Sequence, residues 1–136
     1  MEDHTERFTV MNEQRAQSLA DAWIAAWNRH DLDAILHHYA SDVEFTSPFV
    51  PTLSGDPSGT IHGRILLKAY FQKGLHAYPD LHFELIRILT GVDSLLLYYH
   101  SVNGLLAAEM MTVNDEGLIQ TVRVHYGKEE PQDLDA

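Results

Sequence analysis

The 136-residue chain contains no cysteine, and nine lysines and arginines stand against twenty aspartates and glutamates, a formal net charge of −11. Without thiols the chain forms neither disulfides nor thiolate metal sites, and it has no cysteine nucleophile. An acidic surface repels nucleic-acid phosphates and anionic membranes. No two lysines or arginines are adjacent in the sequence, so it shows no basic patch that would interrupt this surface. We therefore expect no nucleic acid and no membrane as partners.

Long apolar runs and metal-binding motifs are also missing. No window approaches the roughly 18 apolar residues that span a bilayer, and the N-terminus has no apolar stretch of the kind a secretory signal needs. A cytoplasmic location is the simplest expectation. The sequence has no His-x-His strand pair, no His-Glu-x-x-His helix and no carboxylate loop. We expect no metal and no cofactor.

The residues that are present have the composition of a folded domain, 45% hydrophobic and 21% charged. Apolar side chains recur at helical spacing after Asn12, a suitable N-cap. A second, shorter helix is predicted after Asp31, with Tyr39 on its inner face. A third is predicted from about residue 63 to 77 and ends before Pro79. The N-terminal part thus predicts three helices.

The remaining segments predict strands near residues 43–47, 81–90, 94–102, 105–113 and 118–126. Residues 48–62, rich in proline and glycine, predict a long mobile loop over a pocket mouth. Helices followed by a strand meander indicate an α+β fold with helices on one face of an antiparallel sheet. We expect one domain over residues 12–127, a flexible N-terminus over 1–11 and an acidic flexible tail over 128–136.

Asn103-Gly104 is the strongest short signal for a two-residue hairpin turn, because a type I′ turn needs two residues with positive φ. Such a turn would place Tyr98 opposite Glu109 and bring His100 to the same face. Ionisable groups among apolar ones are typical of a ligand cavity. The opposite face is also apolar, so we predict a homodimer packed through the convex face of the sheet.

The run Trp-Ile-Ala-Ala-Trp-Asn-Arg-His-Asp-Leu-Asp at 23–33, the Tyr-Ala-Ser-Asp step at 39–42 and the Ser47-Pro48 stop resemble the nuclear transport factor 2-like superfamily. The SnoaL-like and ketosteroid-isomerase-like branches are the most similar, and the resemblance covers about residues 14–127. It implies a cystatin-like α+β barrel, in which helices wrap a cone-shaped antiparallel sheet around a pocket. The superfamily contains enzymes, binding modules and scaffolds, so the fold does not define the activity.

The resemblance also implies positions for the isomerase site. The general-base aspartate corresponds to Ser47, the oxyanion-hole tyrosine to Trp23, and the protonated acid to Glu109. Only the third position keeps a carboxyl group, which argues against authentic 3-ketosteroid isomerisation. The epoxide-hydrolase branch needs an arginine with two aspartates, and the predicted strands have no Asp-x-Arg or Arg-x-Asp triplet.

Glu109 is the main catalytic candidate. Burial raises the pKa of a carboxyl and favours its neutral form, which can donate a hydrogen bond to a carbonyl or enolate oxygen. His100 or Tyr98 would then handle a proton. In the structural alternative, Tyr98 or Trp23 satisfies the hydrogen-bonding groups of Glu109, and His100 is bonded to Glu109 as a structural pair.

We therefore expect a small-molecule pocket protein that performs isomerase-, cyclase- or dehydratase-like acid–base chemistry on a small apolar or aromatic carbonyl ligand. The alternative is a non-catalytic ligand-binding or dimeric scaffold module of the same fold. A cavity of several hundred Å³ would favour a ligand, and a filled cone would favour the scaffold. The residues expected to line the pocket are Trp23, Trp27, Tyr39, Phe45, Ser47, Tyr70, Phe83, Met111, Val122, Val124 and Tyr126.

Overall fold

Four helices and two strands form the first half of the described chain, and a four-stranded meander forms the second half. The computed structural model describes residues 11–128. A 3₁₀ turn over Val102–Gly104 joins the two central strands of the meander. In chain order the elements are α1 (Glu13–Asn28), α2 (Leu32–Leu36), β1 (Tyr39–Thr46), α3 (Phe49–Ser54), β2 (Thr60–His62), α4 (Arg64–Ala77), β3 (Glu84–Thr90), β4 (Ser94–His100), β5 (Leu105–Val113) and β6 (Ile119–Lys128).

Both predicted helix N-caps are present. The Asn12 side chain accepts a hydrogen bond from the Arg15 N–H at 2.8 Å, and the Asp31 carboxylate accepts one from the Ala34 N–H at 3.1 Å. Each cap satisfies an N–H group that has no partner within the first helical turn. The inner face of α1 buries small residues and two large aromatic ones: Ala16, Ala20, Trp23, Ala26 and Trp27.

The predicted loop over residues 48–62 is the main error in the element prediction. It contains α3 and β2, so the described chain has four α-helices instead of three. Pro48 caps α3 and Pro51 lies in its first turn, where a missing N–H breaks no helical hydrogen bond. Val50 is fully buried, and this packing stabilises the short helix. Tyr39 lies in β1 and not on the second helix as predicted.

The six strands form one curved sheet in the order β2-β1-β6-β5-β4-β3. All neighbouring strands are antiparallel except β1 and β6, which run parallel. Strands β2 and β3 are the two edges of the sheet within residues 11–128, so this part of the chain forms an open sheet and not a closed barrel. Helix α1 packs on β3 and helix α4 on β1, on the face that we call concave. The predicted α+β architecture is confirmed.

The predicted flexible ends, 1–11 and 128–136, lie outside the described residues except for Met11 and Lys128. Met11 is buried, and its N–H donates to the Val92 carbonyl at 2.8 Å. Lys128 is the last residue of β6. Within the described part of the chain, no helix is long and apolar enough to cross a membrane.

Hydrogen bonds connect the C-terminal end of α1 to the segment that precedes β3. Asn28 accepts a hydrogen bond from the Phe83 N–H at 2.7 Å and donates one to the Phe83 carbonyl at 2.9 Å. The His30 ring nitrogen Nε2 lies 2.8 Å from the Leu81 carbonyl, to which it can donate. These contacts hold the chain at residues 81–83 against the helix, so that Leu81 and Phe83 face the interior between helix and sheet.

Candidate functional site

The β4–β5 hairpin determines which side chains of these strands reach the concave face. Its turn has three residues, Val102–Gly104, closed by a hydrogen bond from the Ser101 N–H to the Leu105 carbonyl at 2.7 Å. Asn103 and Gly104 have positive φ angles of 57° and 70°, but the turn is one residue longer than predicted. A shift of one residue transfers the side chains of a strand to the opposite face.

Tyr98 and His100 consequently do not face Glu109. The ladder pairs Leu97 with Glu109 and Tyr98 with Ala108, so the predicted register is wrong. Tyr98 and His100 lie half-buried on the convex face. No histidine among the described residues lines the cavity that borders Glu109.

Glu109 itself lies on the concave face and is only 3% exposed. The Tyr99 hydroxyl donates a hydrogen bond to Glu109 Oε1 at 2.6 Å, whereas Oε2 receives no hydrogen bond from the residues that the structure describes. Burial raises the pKa of Glu109 from 4.5 to about 7, against a smaller opposing effect of the Tyr99 hydrogen bond. Near neutral pH the carboxylic acid and the carboxylate forms of the side chain are therefore both populated.

Aromatic rings hold Tyr99 in place beside this carboxyl group. The Tyr99 ring lies edge-to-face with Trp23 at 5.5 Å and packs against Phe83 at 4.8 Å, measured between ring centroids. Burial raises the pKa of Tyr99 well above its ordinary value, and the charge of Glu109 raises it further. The phenol thus remains protonated near neutral pH and acts as a donor.

A largely aromatic cavity opens beside Glu109. The space open to the centre of a water molecule is about 60 Å³, and all the space between the walls, with open solvent at the mouth, is about 530 Å³. The smaller volume accommodates only a few water-sized groups. The half-buried part of the lining includes the rim residues Phe49, Leu53, Tyr78 and Val102. Of the described lining residues, Glu109 is the only carboxylate, and none is lysine, arginine or histidine.

Seven of the eleven residues predicted to line the pocket border this cavity: Trp23, Trp27, Phe45, Tyr70, Phe83, Val124 and Tyr126. The other four do not. Met111 and Val122 pair across β5 and β6 and are buried in the core. Ser47 is buried, and its hydroxyl accepts a hydrogen bond from the Phe49 N–H at 3.2 Å.

Tyr39 is the fourth, and it organises the two tryptophans behind the cavity. Its hydroxyl accepts a hydrogen bond from Trp23 Nε1 at 2.9 Å. The Trp27 indole N–H lies near the same hydroxyl but forms no hydrogen bond of good geometry within the described chain. Tyr39 therefore supports the cavity wall from outside.

Tyr70 and Tyr126 also border the cavity. Burial raises the pKa of Tyr70 to about 12, and the nearby Ser47 hydroxyl opposes part of this rise. Burial also raises the pKa of Tyr126, and the charge of Glu109 adds to this effect. Both phenols are neutral near pH 7, so they can supply hydrogen bonds but are poor bases.

The sequence interpretation missed Tyr99 and the rim residues. Tyr99 follows from the strand alternation once the turn is given three residues, since β4 then presents Leu97 and Tyr99 inward. The rim residues Phe49 and Leu53 lie on α3. This helix was not predicted, because the prolines and glycines of the segment favour a loop. The apolar character of Phe49 and Leu53 within a polar segment is the signal that could have identified them.

The described residues contain no group of three or more histidine, aspartate or glutamate side chains that could hold a metal ion. The polar chemistry of the cavity therefore consists of one carboxyl group and several neutral hydroxyl groups. This arrangement can bind a ligand through hydrogen bonds and apolar contact, and it can exchange a proton through Glu109.

A curved sheet covered by helices around an aromatic cavity with one buried carboxyl defines a small α+β pocket protein. The chain belongs to the SnoaL-like domain family, which matches residues 20–127. A SnoaL-like protein of unknown function from Burkholderia thailandensis is 40% identical, with 87% of this chain and 98% of that chain covered and a TM-score of 0.83. The expected SnoaL-like membership is confirmed.

More distant structures share the fold. A Kribbella flavida protein that carries the provisional name ketosteroid isomerase is 18% identical, over 94% of this chain and 87% of that chain, with a TM-score of 0.66. A protein of unknown function with a cystatin-like fold from Methylobium petroleophilum is 11% identical, over 93% and 85%, with a TM-score of 0.68. No curated protein matches the chain.

Proposed function

We propose that the cavity binds a small, neutral, apolar or aromatic carbonyl compound and that Glu109, in its acid form, donates a hydrogen bond to the carbonyl oxygen. The observation that carries this proposal is the position of Glu109. Its side chain is 3% exposed, borders an aromatic cavity and has one oxygen without a partner among the described residues. A neutral acid in such surroundings is a strong donor to an oxygen that gains negative charge.

The class of chemistry that fits this donor is isomerase-, cyclase- or dehydratase-like conversion of the carbonyl compound. A carbonyl that forms an enolate places negative charge on its oxygen, which the Glu109 acid stabilises. Authentic 3-ketosteroid isomerisation is not proposed, because Ser47 occupies the position of the base aspartate in the resemblance. The proposed chemistry uses no metal and no cofactor. A cytoplasmic location remains a prediction.

A non-catalytic binding or scaffold module is the second candidate. The cavity volume of about 60 Å³ favours it, because drug-sized ligand pockets measure roughly 300–1,000 Å³. The mouth is lined by half-buried side chains, including Phe49 and Tyr78. A carbonyl ligand would insert its oxygen end beside Glu109 and leave its apolar body among these rim residues.

The binding proposal is tested with cyclohexanone that carries ¹³C at the carbonyl carbon. We expect its carbonyl resonance to move downfield on binding near pH 5, where Glu109 is an acid, and the effect to fade as the pH rises through about 7. Glu109→Gln removes this pH dependence, because an amide does not titrate. Glu44→Gln, at an exposed position of β1, is the control and keeps the wild-type profile.

The scaffold candidate makes the opposite prediction for the same experiment. It gives no saturable change in the carbonyl resonance of cyclohexanone at any pH between about 5 and 9, in either the wild-type protein or Glu109→Gln. A saturable but pH-independent shift also contradicts the proposed donor role of Glu109.

We further propose that two copies of the chain pair through the convex sheet face. Helices α1 and α4 pack on the concave face, whereas β3, β4 and β5 present apolar side chains on the other: Leu89, Leu96, Tyr98, Leu106, Ala108 and Met110. Leu89 is 55% exposed and Met110 41% exposed. An apolar sheet face of this kind is typical of an isologous interface. Light scattering at micromolar concentration should give a dimer mass, and a monomer mass would contradict the proposal.

A further inference from the structure

We propose that Tyr99 is a positioning residue that holds the acid proton of Glu109 on Oε2, the oxygen without a partner, so that the proton is available to the ligand. This inference rests on the proposed function of Glu109 as a donor. It adds a residue that the sequence interpretation did not consider and replaces Tyr98 and His100 as the partners of the carboxyl group.

The geometry distinguishes the two carboxyl oxygens. Tyr99 donates to Oε1 at 2.6 Å, a short distance for a hydrogen bond between two oxygens. Oε2 receives no hydrogen bond from the part of the chain that is described. The hydroxyl oxygen of a carboxylic acid is a weaker hydrogen-bond acceptor than its carbonyl oxygen, so the Tyr99 hydrogen bond favours Oε1 as the carbonyl oxygen of the neutral acid. The neutral acid therefore carries its proton on Oε2.

The position of the Tyr99 ring is fixed independently of the carboxyl group. Trp23 packs edge-to-face on it, and Phe83 packs on it at a centroid separation of 4.8 Å. Phe83 is in turn held through its backbone by Asn28. The hydroxyl thus remains directed at Oε1 whether or not a ligand is present, which lowers the entropic cost of presenting the Oε2 proton.

Among the described residues, the titratable groups whose pKa the charge of Glu109 affects are all phenols. Tyr39 on β1, Tyr70 on α4, Tyr99 on β4 and Tyr126 on β6 each have a raised pKa to which the charge of Glu109 contributes. None of them ionises between about pH 5 and 9. Over that range Glu109 is the group in the described cavity whose charge changes, so a pH profile reports on it directly.

A different arrangement would use the same two residues as a relay. Glu109 would donate to the Tyr99 oxygen, and Tyr99 would donate to the ligand. In a relay, Tyr99→Phe abolishes the contact with the ligand oxygen. In the positioning arrangement, Tyr99→Phe leaves the Glu109 donor in place but removes the hydrogen bond that stabilises the carboxylate.

The first experiment needs no ligand. The ¹³C resonance of the Glu109 carboxyl carbon, identified by its loss in Glu109→Gln, is followed against pH. Because the Tyr99 hydrogen bond lowers the Glu109 pKa, Tyr99→Phe should move the titration to higher pH. Replacement of Tyr99 by 3-fluorotyrosine, a stronger donor, should move it to lower pH. Tyr98→Phe, at the next position on the opposite face, should leave it unchanged.

The second experiment repeats the binding of ¹³C-labelled cyclohexanone with the same variants. Tyr99→Phe should retain the downfield carbonyl shift, bind about fivefold more weakly through loss of the fixed proton position, and extend binding to higher pH. The 3-fluorotyrosine protein should lose binding at lower pH than the wild type. This second substitution keeps the test decisive if Tyr99→Phe folds poorly.

Each result bears on one claim. An unchanged Glu109 titration in both Tyr99 variants overturns the positioning role. Complete loss of the carbonyl shift in folded Tyr99→Phe also overturns it and favours the relay. If cyclohexanone gives no carbonyl shift with any protein while the ligand-free titration moves as expected, the proposed function fails, and the Tyr99–Glu109 hydrogen bond is established without a role in carbonyl binding.

Discussion

At the scale of single residues, Glu109 stands apart because it is a carboxyl group buried in an aromatic setting. Its raised pKa is the cost of desolvation, and one hydrogen bond from Tyr99 offsets that cost only in part. The sequence predicted the burial of Glu109 correctly, because the residue lies in an otherwise uncharged strand segment. It could not predict the partner, because adjacent tyrosines at 98 and 99 offer the same group to opposite faces.

The stability of the protein should depend on the protonation of Glu109. Its pKa is raised from 4.5 to about 7 in the folded state, so its acid form favours folding. That contribution is fully present below about pH 4.5 and is lost as the pH rises through about 7, a fall of about 3 kcal/mol in the free energy of unfolding.

Urea unfolding between about pH 4.5 and 8 measures this effect. Glu109→Gln should lack the fall, so the difference between variant and wild type should grow with pH. Glu44→Gln should follow the wild-type curve. Parallel curves for wild type and Glu109→Gln would show that the buried carboxyl does not titrate in this range.

At the scale of secondary-structure elements, one residue in the β4–β5 turn decides which side chains reach the cavity. The Asn-Gly pair correctly predicted a turn and its positive φ angles, but it did not specify whether the loop has two residues or three. Both lengths place Asn103 and Gly104 at the turn. The three-residue turn also gives Leu95, Leu97 and Tyr99 burial on the concave face, so core packing favours it.

The turn can be tested with two glycines that differ only in backbone conformation. An added Cβ meets no atom within 4 Å at either Gly104 or Gly127, but Gly104 has a φ of +70°. Gly104→Ala should destabilise the protein by about 1 kcal/mol, because alanine is strained in this conformation. Gly127→Ala, in a strand, should change the free energy of unfolding by less than about 0.5 kcal/mol. Equal effects in urea unfolding would argue against the described turn.

At the scale of the whole molecule, local patterns predicted the helices α1 and α4 and the meander, because these depend on neighbours in sequence. They could not predict that β1 lies parallel to β6, where Phe45 pairs with Val122. The two strands are far apart in the chain, and no turn signal connects them. A pocket was predicted, but its small size was not, since the volume depends on how aromatic rings from both halves of the chain pack.

The proposed dimer is a property of this scale, and Met110 offers a direct test. Met110→Glu should yield a monomer by light scattering, because two carboxylates would be buried in a symmetric interface. Ile65→Glu is the matched control, since Ile65 is 86% exposed on α4, away from the convex face. A dimer that survives Met110→Glu, or that is lost equally in Ile65→Glu, would contradict the proposed interface.

The attachment of residue 83 through its main chain has a practical consequence. Asn28 forms both of its hydrogen bonds with the main-chain amide and carbonyl of Phe83. These bonds, which hold the segment before β3, therefore do not require a particular side chain at position 83. Substitutions at position 83 should therefore change the shape of the cavity. A library of apolar substitutions at this one site would vary the space for a ligand and, through the contact between Phe83 and Tyr99, would also change how firmly Tyr99 is held beside Glu109.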